Sequence, residues 1–188
     1  MTEQEKNDEF IFAGIKERVA AYWLTTAITI NVTTYAPVTG YSRYDVIFQS
    51  GLTKMCSEIK IRKRPSTDYI DWIVEFEKFF NYYLDEELTP IKRDEHNGIG
   101  SYYMVFFLDK VVLWSIDDLA PYKRFKLNNL RATSVLNNKE KRQKMITHFQ
   151  VKESCQIIDY QINHEMLDLT AKRKFRHLFG RDYISLKQ

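Results

Sequence analysis

The stretch RYDVIFQSGLTKMCSEIKIRKR (residues 43–64) restricts the fold more than any other part of this chain. Apolar and polar residues alternate on both sides of Ser50-Gly51-Leu52-Thr53, the pattern of two half-buried strands joined by a tight bend. A two-residue loop that begins with glycine is the signature of a type II′ turn, and the turn fixes the register of its strands. Ser50 then faces Thr53, and counting outward sets Asp45 opposite Glu58. Directly opposed residues have Cβ atoms about 4.5–5.5 Å apart. Lys60 lies two residues beyond Glu58 and shares its face.

Two opposed carboxylates repel each other. A divalent cation offsets that repulsion, and carboxylate oxygens are the donors that Mg2+ and Mn2+ prefer. A lysine beside such an ion can orient or deprotonate a water, or stabilise developing charge, while the ion activates its water and screens a phosphate. One hairpin thus holds the core parts for hydrolysing a phosphodiester. The same residues admit a blander reading. In it, Tyr44, Val46, Phe48, Met55, Ser57, Ile59 and Ile61 face the core, and Asp45, Glu58 and Lys60 face water. Ile47 on the acids' side, and an aspartate falling opposite the glutamate, favour the first reading.

Around the hairpin the chain alternates helix and strand signals. Residues 4–23 read as a helix with Phe10, Ala13, Val19 and Tyr22 on its apolar face, and 27–34 as a β-branched strand. The hairpin strands cover 41–49 and 53–62. Residues 68–88 read as an amphipathic helix on Ile70, Ile73, Val74, Phe76, Phe80 and Tyr83, capped within 66–68 and stopped at Thr89-Pro90. Residues 101–116 suggest two buried strands folded at Asp109-Lys110. Beyond 121 we expect a helix near 138–150, a short strand near 155–162 and a helix over 163–179 ending at Gly180. The sum is an α/β chain with a mixed sheet. It divides into a core over 1–120 and a basic, mainly helical C-terminal extension over 121–188, packed on or beside the core.

Asp45, twelve further residues and then Glu58-Ile59-Lys60 resemble the signature of the PD-(D/E)xK nuclease family, within the restriction-endonuclease-like superfamily. The order helix, three strands, helix, strand over residues 5–116 is similar to that family's core. Tyr44 stands where the family usually has proline. The segment AGIKERVAAYW also resembles the first helix of the Holliday-junction resolvases of this group, with Gly14 and then Glu17. The resemblance implies that Asp45, Glu58, Glu17 and the carbonyl of Ile59 ligate Mg2+ or Mn2+, and that Lys60 positions the attacking water. It implies a DNA endonuclease, a phage or mobile-element or repair setting, and a homodimer. Two alternatives stand beside it: a nuclease-fold protein without catalysis that binds or builds a virion, and a basic nucleic-acid-binding module of another α/β fold.

Charge is compatible with a polyanionic partner, and the resemblance implies DNA rather than RNA. Residues 1–120 carry 13 Lys+Arg against 19 Asp+Glu, whereas 121–188 carry 15 against 6. An acidic front and a basic back suit a metal site beside a nucleic-acid surface. Arg62, Lys63 and Arg64 at the end of the third strand, Lys123, Arg124 and Lys126 among Tyr122 and Phe125, and Lys141 and Arg142 are the candidates for that surface. Two cysteines are too few for a disulfide framework. The acidic start is unlike a secretion signal and no run reaches the ~18 apolar residues of a membrane span. A cytoplasmic setting with no membrane is therefore expected. The four histidines lack zinc-ligand spacing.

Overall fold

The computed structural model describes residues 2–28, 31–35, 44–50, 53–69, 72–75, 99–119, 122–131 and 141–183. Helix α1 (Glu3–Ala27) starts on a capping box, in which Thr2 and Glu5 satisfy each other's main-chain N–H groups. It runs past the expected end at residue 23. Thr25 and Thr26, which read as strand formers, donate their hydroxyls to the carbonyls of Tyr22 and Trp23 (2.6 and 2.7 Å) and remain helical. The first strand, β1 (Asn31–Tyr35), is correspondingly shorter than expected.

Strands β2 (Val46–Ser50) and β3 (Thr53–Ile61) form the hairpin. Ser50 pairs with Thr53, and the register continues unbroken to Val46 and Ser57. The bend residues Gly51 and Leu52 lie outside the described residues. β5 (Ile99–Phe106) runs parallel to β3, and β6 (Val111–Ser115) returns antiparallel along β5. These are the two strands expected around Asp109-Lys110. The main sheet has the order β1-β2-β3-β5-β6-β9, with β9 at Gln156–Ile158. It is mixed, as a parallel β3–β5 pair within antiparallel neighbours requires.

Two layers cover this sheet. α1 and α3 (His164–Phe179) pack on one face, where Ile15, Val19, Leu24, Val46, Phe48, Ile59 and Phe175 are buried together. Asn163 caps α3, and Gly180 ends it in the left-handed region (φ 65°), as the sequence suggests. A second sheet, in the order β4-β8-β7, covers the opposite face. Its strands are β4 (Trp72–Glu75), β7 (Lys126–Arg131) and β8 (Lys141–Phe149). Trp72, Val74 and Phe149 bury against Cys56, Tyr103, Val105 and Trp114 of the main sheet there.

Three expectations are corrected. Residues 72–75 are a strand, not part of a helix, and Ser66–Asp68 form a 3-10 turn rather than a helix cap. Trp72 and Val74 are buried while Ile73 is 41% exposed, an alternation that this dense apolar run carries alongside its helical period. The remainder of the expected helix lies outside the described residues. The segment near 138–150 holds strand β8, because Ile146, Thr147 and Phe149 favour a strand once β4 pairs with them, and Ile146 also pairs with β7. Among its described residues the extension holds strands as well as helix. It supplies β9 to the main sheet and α3 to the core. A single-turn helix, α2 (Ile116–Leu119), follows β6. Among the described residues no helix is long and apolar enough to cross a membrane.

Candidate active site

β3 outruns β2. Its pairing with β2 ends at Ser57, while its pairing with β5 continues to Ile61. Residues 58–61 are thus paired on one side only among the described residues, and the site occupies this notch.

A strand end leaves main-chain donors without a ladder partner, and buried donors must find one. Asp45 supplies it. Its own N–H donates to the Ser57 carbonyl (3.0 Å), and its Oδ2 accepts the N–H of Ile59 (2.7 Å). The aspartate therefore leaves the ladder and folds across the tip of the missing strand, rather than standing squarely opposite Glu58. Its carboxylate is fixed by the backbone of the E-x-K segment itself.

Glu58 and Lys60 point to the side shared by Cys56 and Tyr103, beneath the second sheet. Glu58 is 3% exposed, and the Lys60 ammonium lies 2.9 Å from its Oε1. Glu17 approaches from α1. It falls on one helical stripe with Ala20, Ala21 and Leu24, all fully buried. These small residues bring the helix close to the sheet, and Glu17 Oε1 reaches Lys60 Nζ at 3.1 Å. The same ammonium donates to the Ile59 carbonyl (2.7 Å). One cation thus gathers Glu17, Glu58 and the Ile59 oxygen. Asp45 closes the group electrostatically, since its charge acts on both Glu17 and Lys60.

Burial dominates the electrostatics of Glu17 and pushes its carboxyl up from 4.5 to about 8, with Asp45 and Glu58 adding to the rise and Lys60 opposing it. Burial also works against the Lys60 ammonium, but Glu17, Glu58 and Asp45 together outweigh it and hold its pKa well above the usual lysine value. Glu17 thus retains its proton at neutral pH while Lys60 stays charged.

Two neighbours escaped the sequence reading. Arg18 lies back along α1, donating from Nη1 to the Gly14 carbonyl (2.7 Å). A Cβ at position 14 would stand 2.8 Å from that nitrogen, so glycine makes the room. Asp45 and Glu17 support the charge of this guanidinium against the burial that lowers its pKa. Tyr103, directly across from Glu58 on β5, has its hydroxyl pushed up by burial, while the charges of Lys60 and Glu58 act on it in opposite directions. An arginine four residues after a helical glycine was a readable signal. Tyr103 carried none, because its neighbour is set by a long-range parallel pairing.

The expected nucleic-acid residues divide. Arg62 stacks on Trp72, its Cζ 4.6 Å from the ring. Lys63 is committed to Asp168 of α3 (3.0 Å), which also ion-pairs with Lys16. Arg64 is exposed. Lys123 turns inward, bonding the His148 carbonyl (2.7 Å) and Glu153 (2.6 Å). It braces the second sheet. Arg124 and Lys126 are exposed. Lys141 and Arg142 pair in register with Arg131 and Leu130, and their side chains lie outside the described residues.

The donors fit Mg2+ or Mn2+ in kind: three carboxylates and a carbonyl, all hard oxygens, face one lysine. As they stand, no group of three His, Cys, Asp or Glu side chains among the described residues is arranged to hold a metal ion. The ammonium occupies the centre to which two of the acids turn. No protein-family model matches this chain, and no curated protein matches it either.

Proposed function

We propose that this chain is a metal-dependent endonuclease of the PD-(D/E)xK type that hydrolyses DNA phosphodiester bonds. One observation carries the reading. Glu17 from α1 and Glu58 from β3 converge on Lys60 within 3.1 Å, in the notch where Asp45 is pinned to the next main-chain amide. The parallel pairing of β3 with β5 supports it too, while a strand, β4, stands where the family's order has a helix.

Asp45, Glu58 and the Ile59 carbonyl would hold the cation, with Glu17 as an outer ligand, and the bound ion would supply an activated water and charge neutralisation at the phosphate. Lys60, held protonated, acts as a hydrogen-bond donor and positive charge beside the phosphate rather than as a base. Glu17, which keeps its proton at neutral pH in the metal-free protein, would lose it to the charge of a bound cation and could then accept the water's proton. Attack by water would form one P–O bond as the opposite P–O bond breaks, with the water's proton passing to the ionised Glu17 and the leaving oxygen taking a proton from solvent.

The central salt bridge favours a second reading, a nuclease-fold binding protein whose acids are neutralised by lysine and never meet a metal. Plasmid cleavage separates the two. Nicking in Mg2+ or Mn2+ by the wild type, lost in Asp45→Asn and Lys60→Ala, is expected. No cleavage of linear, supercoiled or branched DNA with either ion would leave the binding reading in place.

A further inference from the structure

β8 is longer than its partner β4. β4 pairs with Ile146–Phe149, whereas β7 pairs with Lys141–Ile146. Among the described residues, Lys141–Met145 therefore has β7 on one side and no strand on the other. Among the described residues, β7 and this part of β8 form a two-stranded ribbon that extends past the end of β4. Residues 126–129 are exposed throughout, with Leu127 at 64%, and Met145 at the same level of the ribbon is 43% exposed.

An isolated antiparallel pair is marginal in water, and apolar residues on its surface call for a partner. Register tells what kind. Leu127 faces Met145, and two residues on Asn129 faces Gln143, so these four share one face. Arg131 pairs with Lys141 at the far end of the ladder. Strands β7 and β8 together contain five Lys+Arg and no Asp or Glu. Glu75 on β4 takes up Lys144 (2.9 Å). A ribbon of this charge fits a polyanion. Its two amides have the donor and acceptor pairs that read base edges, and its apolar pair suits a thymine methyl.

We propose that the β7–β8 ribbon is a DNA-reading arm that lies in the major groove of a duplex, with Asn129 and Gln143 at base edges and the strands' cations at phosphates. The inference rests on the nucleic-acid part of the reading above and adds a source of sequence preference to it. The B-form major groove, about 12 Å wide, admits a two-stranded ribbon, whereas the A-form groove of RNA is too narrow. A second copy of the chain fits poorly. Antiparallel pairing of β7 with itself would oppose Lys126 and Arg131, like charges of the kind that block edges.

The test uses the full chain without metal, in chelator, and a labelled 30-bp random-sequence DNA duplex. Anisotropy is expected to show salt-dependent binding, and Lys126→Ala to lower the slope of log affinity against log salt by about 1. Selection from a randomised duplex pool is expected to enrich a sequence, and Asn129→Ala/Gln143→Ala to flatten that preference about tenfold. Main-chain amides of 126–131 and 141–145 should exchange more slowly when duplex is added, a readout that needs no variant. The proposal is overturned by absent binding, by tighter binding to the matching RNA duplex, by unchanged selection and exchange, or by a dimer that Leu127→Asp dissolves. Ribbon-dependent binding by a chain that never cuts would sink the enzyme reading alone. Cutting that ignores every ribbon variant would sink this one alone.

Discussion

Replacing Glu17 by glutamine should change the shape of the stability–pH curve, not only its height. The Glu17 carboxyl, 15% exposed against Lys60, titrates at about 8 in the folded protein against 4.5 for the free side chain. Between these values the unfolded chain loses the proton and the folded chain keeps it. A raised folded pKa means stability that is complete below pH 4.5 and is lost as pH climbs towards 8. At 1.36 kcal/mol per pKa unit, the wild type gives up about 5 kcal/mol over the whole interval, about 3 of it by pH 7. Glutamine cannot ionise, yet its carbonyl can still accept from the Lys60 ammonium. Lys60 stays charged in both states below pH 9, so replacing the protonated carboxyl beside it by an amide shifts the variant's curve by a constant.

The slope is therefore diagnostic. In metal-free buffer, urea unfolding at pH 5, 6, 7 and 8 should show Glu17→Gln gaining on the wild type by about 3 kcal/mol between pH 5 and 8. In thermal terms that is roughly 6–12 °C for a chain of this size. Parallel curves, with a difference constant to about 0.5 kcal/mol, would mean that Glu17 is already ionised in the fold at pH 5. The site would then be an ordinary ion-pair cluster, and the case for a proton-exchanging acid would collapse.

Three more outcomes follow from the same contacts. Lys60→Met strands the buried Glu58 carboxylate and should cost about 3–5 kcal/mol in urea unfolding, with Lys60→Met/Glu58→Gln recovering most of it; a loss under about 1 kcal/mol would contradict the burial. Asp45→Ala leaves the Ile59 N–H without its acceptor and should cost about 1–3 kcal/mol, while Asp45→Asn, which keeps an acceptor oxygen, should unfold like the wild type though both fail to cleave; equal destabilisation would deny the hydrogen bond its role. Mn2+ should raise the melting temperature more at pH 8.5 than at pH 6.5, because binding must displace the Glu17 proton as well as the Lys60 ammonium, and calorimetry in two buffers should detect that proton; the same rise at both pH values would remove Glu17 from the metal's surroundings.

What the sequence disclosed depended on how local the cause was. The β2–β3 register follows from a short bend and alternating residues, and it holds from Ser50–Thr53 to Val46–Ser57. The end of α3 follows from one glycine. Residues 72–75 were misread because Ile70, Ile73, Val74 and Phe76 satisfy a helical period while Trp72 and Val74 satisfy a strand's. The partner that decides between them, β8, lies some seventy residues away. β8 itself was misread because Lys141-Arg142-Gln143-Lys144 are good helix formers, and only pairing on both sides of Ile146 overrides them.

The site straddles this boundary. Counting across the turn brought Asp45, Glu58 and Lys60 to one place, but it treated β2 as though it continued. The strand stops, the main-chain N–H of Ile59 loses its neighbour, and Asp45 bends to serve it. The same stop opens the notch through which Glu17, from a helix on the other face of the sheet, reaches Lys60. Had β2 run two residues further, its backbone would have satisfied Ile59, and Asp45 would have stood in the ladder opposite Glu58 with Glu17 shut out. The convergence of acids on one ammonium is thus a consequence of where a strand ends. Alternation along a sequence reports which way side chains point, and strand termination is a tertiary event that it does not record.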